Sequence, residues 1–171
     1  GKTTTTVNLA ASLAEMSKKV LLIDLDPQGN ATMGSGVEKY QLQFSALEVL
    51  LGEQPLEKVI KSSVQKMFDV LPANSDLTAA EVQLFEIPMR EKRLSMALQS
   101  IKKEYDFILI DCPPSLNMLT VNSLMASNGV LVPIQTEYYA LEGLSELLNT
   151  IDQIKAHGNP NLQIEGIVRT N

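Results

Sequence analysis

The residues whose types and order could do chemistry are Gly1, Lys2 and Thr3 at one end, and Asp24, Asp26 and Asp111 further along. Gly-Lys-Thr is the back half of a phosphate-binding loop. In such a loop, backbone N–H groups and the start of the next helix hold the phosphates. Lys2 would place a point charge on the outer phosphates, and the Thr3 hydroxyl would ligate Mg²⁺. The tripeptide alone is common by chance, so its neighbours in the chain carry the weight. A helical pattern comes next (Val7, Leu9, Ala10, Leu13, Ala14), then the apolar run Val20 to Ile23 closed by Asp24. Loop, helix and acid-tipped strand form the order that a nucleotide site requires. Asp24 and Asp26 stand beside Pro27 and Gln28-Gly29-Asn30. Two acids there suggest metal or water handling beside a phosphate; a lone Asp would sooner cap the next helix.

The elements that must position these groups can be read from patterning. Val20 to Asp24 is too short and too uniformly apolar for a half-exposed strand, and it suits the interior of a parallel sheet. Phe107 to Asp111 repeats the pattern. The first helix is predicted over Lys2 to Ser17, and Asp26 to Gly36 as a mobile loop. Ser45 is an N-cap for a helix over Ala46 to Leu51, with Glu48 completing a capping box. Pro55 opens a short helix over Leu56 to Lys61, and Phe68 to Leu71 is a short strand. Asp76 is expected to cap a helix over Leu77 to Phe85, and a longer basic helix spans Met89 to Lys103. Ser115 to Ser127 and Glu137 to Ala156 are further helices. Val130 to Pro133 and Leu162 to Val168 are strands. Alternating strands and helices give an α/β fold: a three-layer, mostly parallel sheet flanked by helices. Residues 1–171 read as a single domain, cut at both ends. A first strand is expected to be missing from beside those ending at Asp24 and Asp111.

Composition narrows the function classes. The chain has 171 residues, 44% apolar and 20% charged, which suits one globular domain. No apolar run approaches a membrane span, and no signal peptide is expected. Cys112 is the single Cys, which excludes an intramolecular disulfide and fits a reducing, cytoplasmic setting. With one His, His157, a zinc site is not expected. A net charge of −6 argues against nucleic-acid binding through the overall field. Lys18-Lys19 and Arg90, Lys92 and Arg93 read as solvated faces. Met67, Met89, Met96, Met118 and Met125 read as core filling. Cys112 reads as packing rather than catalysis.

Several stretches together resemble the ParA/Soj partition ATPases, P-loop NTPase-like proteins of the MinD/ParA superfamily that segregate plasmids and chromosomes. They are Gly1 to Thr5, Asn8-Leu9-Ala10, Val20 to Thr32, Ile110 to Ser115 and Glu137 to Gly143. The resemblance runs the whole length of the chain. It implies slow Mg²⁺-dependent ATP hydrolysis by an ATP-dependent homodimer. It further implies a ParB-like centromere-binding partner, non-specific DNA and a nucleoid-associated place in the cytoplasm. Gly1, Lys2, Thr3 and Thr4 would bind ATP, with Pro133 a candidate on the adenine side. Thr3, Asp24 and Asp111 would serve the metal, Asp111 being the Walker B acid. Asp26, with Lys2, would be catalytic, orienting the attacking water. Asp26 to Gly36 is similar to the switch that senses the γ-phosphate. Tyr138-Tyr139 would pack or lie at an interface. Three departures stand out. The signature Lys of the loop front lies before Gly1, the DNA-contacting residues lie mostly past Asn171, and Asn117 stands where the family has Gly. A membrane-binding MinD-like protein is the alternative, and it needs a C-terminal amphipathic helix. A pure interaction module is a third reading. The Asp-Pro-Gln-Gly-Asn-Ala-Thr stretch favours the first.

Overall fold

The structure is a computed structural model that describes residues 1–135 and 139–170, with backbone alone for residues 135, 139–142 and 168–170. The expected helix start at Glu137 and the packing role of Tyr138 lie outside the described residues, as do the side chains of Tyr139 and Leu141. Five α-helices and three strands come first: α1 (Lys2–Glu15), β1 (Val20–Asp24), α2 (Asn30–Gly34), α3 (Ala46–Leu50), α4 (Leu56–Val59), β2 (Lys61–Ser62), β3 (Asp69–Leu71) and α5 (Ala80–Leu84); β4 (Phe107–Asp111) follows later. Before β4 lies α6 (Arg93–Leu98); after it come α7 (Met118–Ala126), β5 (Gly129–Gln135), α8 (Tyr139–His157) and β6 (Gln163–Thr170).

The strands form two sheets, ordered β2-β3-β1-β4 and β5-β6. All pairings are parallel except β2 with β3. The expected three-layer α/β fold is present. β1 alternates its side chains between two cores, as a strand must. Leu21 and Ile23 join Leu50, Leu77, Leu84 and Leu94 under α3, α5 and α6. Val20 and Leu22 join Ala10 and Ala31 under α1 and α2. Each such Leu, fully buried, contributes about 1.5–3 kcal/mol.

β1 and β4 pair directly, Asp24 opposite Asp111, so no strand lies between them. Among the described residues no strand pairs with the other side of β4. There a slot of about 850 Å³ separates β4 from β5, with Leu9, Leu13, Ile108, Ile110 and Leu131 among its walls.

Helix boundaries differ from the sequence expectation for identifiable reasons. α1 stops at Glu15 rather than Ser17, because Ser17 adopts a left-handed conformation at φ 62°. The capping box on α3 is as expected, with Ser45 and Glu48 each bonded to the other's backbone region. Asn74, not Asp76, caps the next segment, which begins as a 3-10 turn over Ser75–Ala79. The expected helix from Met89 to Lys103 is broken. Met89 is left-handed at φ 56°, and the Leu94 N–H donates to the Asn122 side chain rather than along a helix. Asn122, fully buried, also donates to the Arg90 carbonyl. Met89 and Met96 are exposed, so they do not fill the core as expected, whereas Met67, Met118 and Met125 pack against it. Arg90 lies over the Phe85 ring, and Arg93 donates to the Leu50 carbonyl at 2.9 Å, so neither is a free solvated charge.

Candidate functional site

Four consecutive threonines open α1, and the structure gives them different tasks. Thr is a poor helix former because its hydroxyl competes for backbone groups. Here that competition is turned inward: Thr5 and Thr6 donate to the carbonyls of Gly1 and Lys2, each at 2.9 Å. Thr3 donates instead to Asp111 Oδ2 at 2.9 Å. Thr4 is exposed and its hydroxyl has no partner among the described residues. Gly1 is the N-cap and offers no side-chain acceptor, so among the described residues no side chain caps the first N–H groups of this 14-residue helix. Free N–H groups with the helix dipole behind them suit an anion.

Asp111 is 1% exposed. Lys2 Nζ stands 3.5 Å from its Oδ1, an ion pair longer than a hydrogen bond. Both atoms are buried and without a hydrogen-bond partner. Burial pushes the Asp111 carboxyl up, against the pull of Lys2 and Thr3, and Asp26 adds to the upward push. Lys2 pairs with Asp111 alone among the three acids, while Asp24 and Asp26 lie near enough to Asp111 for their charges to be felt. A divalent cation beside Thr3 and Asp111, with an anion over the start of α1, would satisfy both orphaned atoms. Among the described residues no cluster of three or more His, Cys, Asp or Glu forms a cage of its own. A hydroxyl, one acid and phosphate oxygens are the donor set that Mg²⁺ accepts.

Asp24 and Asp26 sit differently. Asp24 is fully buried, and its oxygens accept from the Asp26 N–H at 3.0 Å, the Thr32 N–H at 2.9 Å and the Thr32 hydroxyl at 2.7 Å. Burial raises its pKa to about 6 despite those three donors. Asp26 keeps one carboxylate oxygen on the Gln28 N–H at 3.0 Å, in a turn closed by Gly29 N–H on the Asp26 carbonyl. The stretch after it is not a loose loop: α2 occupies Asn30–Gly34, and Ala31, Thr32 and Ser35 are buried. Gly29, at φ +65°, is required there, since a Cβ would lie 2.9 Å from the Ala73 carbonyl oxygen.

Thus the structure brings together Gly1, Lys2, Thr3 and Asp111, with Asp24 at the end of the neighbouring strand and Asp26 in the turn after it. Pro133 sits half-buried on β5 and lines the slot with Lys2. Cys112 lines the same slot, and burial pushes its thiol pKa up. Sequence reasoning gave Thr32 no role of its own and noted Asn117 only as standing where the resembled family has Gly. Asn117 is the cap of α7, accepting from the N–H groups of Leu119 and Thr120. Its Asn at the start of an apolar run was the available signal.

The AAA domain family AAA_31 matches residues 1–164. The sporulation initiation inhibitor protein Soj of Bacillus subtilis is 49% identical over 170 residues, 99% of this chain and 67% of Soj. The chromosome partitioning protein ParA of Myxococcus xanthus is 49% identical over 99% of this chain and 60% of its own length. A crystal structure of cobyrinic acid a,c-diamide synthase from Mycobacterium smegmatis, with bound ATP analogue and magnesium, superposes with a TM-score of 0.94 at 39% identity, covering 98% of this chain and 68% of that one. The chain belongs to the AAA_31 family. Within it, the chain is of the ParA/Soj type. It spans 65% of the length of the first curated relatives it matches. Among the described residues no helix is long and apolar enough to cross a membrane.

Proposed function

We propose that this chain is the nucleotide-binding core of an ATP-dependent switch for partitioning chromosomes or plasmids. The observation that carries the reading is the pair of buried atoms, Lys2 Nζ and Asp111 Oδ1, facing each other at 3.5 Å at the start of α1 with no hydrogen-bond partner among the described residues. Lys2 and the first N–H groups of α1 would take the outer phosphates, with Thr4 adding its free hydroxyl. Thr3 and Asp111 would hold Mg²⁺, which when bound neutralises charge on the phosphates. Pro133 would border the base. Asp26 would orient the attacking water, since phosphoryl transfer needs positioning more than covalent help. Hydrolysis would be slow, in an ATP-dependent homodimer that works with a ParB-like partner and non-specific DNA. The synthase name of the structural neighbour does not change this reading, because Soj and ParA match at 49% identity against its 39%.

The test is Asp26→Ala in the full-length protein that carries this chain. ATP affinity should stay within about threefold, while turnover should fall about 10²-fold or more, the usual weight of a group that handles the proton or water. Parent-level hydrolysis by the variant would remove Asp26 from the mechanism.

A further inference from the structure

Asp24 ends β1 in register with Asp111, on the same face of the sheet, yet its hydrogen bonds all come from its own loop. Three donors from its own loop converge on its two oxygens. One of them, the Thr32 hydroxyl, has a second partner: it accepts the Ala73 N–H at 2.9 Å. A hydroxyl has one proton to give and lone pairs to receive. At Thr32 the proton goes to Asp24 and a lone pair takes Ala73, both inside the protein, where neither partner has water as a substitute. Asp24 and Thr32 are each fully buried. The chain of contacts therefore runs from the end of β1, through α2, to the turn after β3. Gly29 presses on the Ala73 carbonyl from the same loop, with no room for a side chain. The turn is tied onward, since the neighbouring Pro72 carbonyl accepts the Ala46 N–H at the start of α3.

We propose that Asp24 and Thr32 are positioning residues, which hold the Asp26 loop in one geometry and tie that geometry to the Ala73 turn. Asp24 fixes the Asp26 backbone through its N–H. Thr32 fixes Asp24 and anchors the pair to Ala73. The role rests on the reading of Asp26 as the water-orienting residue. Thr32 serves it without touching nucleotide or water.

Thr32→Val keeps the shape and removes the hydroxyl; Thr32→Ser keeps the hydroxyl. In the full-length protein, Thr32→Val should lower kcat about 10²-fold, the effect of roughly 1 Å of misplacement. ATP Kd and the Mg²⁺ concentration for half-activation should each stay within about threefold. Thr32→Ser should recover most of the rate. In the nucleotide-free protein, hydrogen–deuterium exchange across residues 24–33 and 70–76 should quicken in Thr32→Val and not in Thr32→Ser. Three results would overturn the proposal: a Thr32→Val rate within about twofold of the parent, a Thr32→Ser rate as low as that of Thr32→Val, or unchanged exchange in both segments. A parent that hydrolyses no ATP would instead sink the functional reading, and the exchange comparison would still judge the tie between the loop and the turn.

Discussion

β1 (Val-Leu-Leu-Ile-Asp) and β4 (Phe-Ile-Leu-Ile-Asp) are nearly the same strand in sequence, and they differ in what lies on their outer sides. β1 lies between β3 and β4, and all five of its residues are buried. β4 has a strand on one side and the slot on the other, and Phe107 at its start is 43% exposed. Their terminal acids diverge as well. Asp24 is filled by donors of its own loop, while Asp111 takes Thr3 on one oxygen and leaves the other without a partner beside Lys2. Asp24 is used up within its own loop, whereas Asp111 keeps one oxygen with no hydrogen bond. The division arises because the strand-end acid next to the Asp26 loop is enclosed by that loop, whereas the acid at the slot side meets only the first turn of α1.

The comparison breaks most readily at Lys2. Lys2→Ala removes the cation paired with Asp111, and ATP binding by the full-length protein should weaken about 10²–10³-fold, the loss expected for one preorganised charge. Calorimetric titration with ATP and Mg²⁺ measures it. Unchanged affinity would mean the phosphates do not sit at the start of α1.

A second test sharpens the difference through protons. The Asp24 carboxyl is raised from its ordinary 3.8 to about 6 by burial, with Asp111 adding to the rise and the Thr32 and Asp26 donors opposing it. An acid with a raised folded-state pKa holds its proton more tightly when folded. Its contribution to stability is therefore full below about pH 4 and is lost as pH rises through about 6. The loss is roughly 3 kcal/mol for a shift of that size. Asp24→Asn should be missing this fall when urea unfolding is followed from pH 4 to 7. An identical pH profile for parent and variant would show that Asp24 is not the buried acid responsible.

The metal response should separate the twins next. Asp111→Asn keeps an acceptor for Thr3 and loses the charge, so the Mg²⁺ concentration for half-activation should rise about 10–100-fold. Asp24→Asn should shift it by less than about threefold on the same scale. Equal shifts would merge the two roles. The smallest effect lies at the other end of the strands. Tyr105, just before β4, donates to Asp69 of β3 at 2.6 Å and so spans β1. Tyr105→Phe should cost about 1 kcal/mol of unfolding free energy and leave ATP binding alone.

Much of this was legible without coordinates. Contiguous apolar runs that end in Asp define β1 and β4, and Ser45 with Glu48 defines the cap of α3, because each signal is carried by neighbours in the chain. Gly-Lys-Thr marked the start of the site for the same reason, and the run of alternating elements marked the fold class. Only the tertiary structure decided which acid faces what. Thr3 meets Asp111 across 108 positions, Thr32 meets Ala73 across 41, and Asn122 interrupts a helix 28 positions away. Nothing in the local pattern of Asp24 and Asp111 distinguishes them. Their environments differ because sheet order puts β3 beside one strand and an open slot beside the other, and a buried polar group takes whichever partner that packing brings within reach.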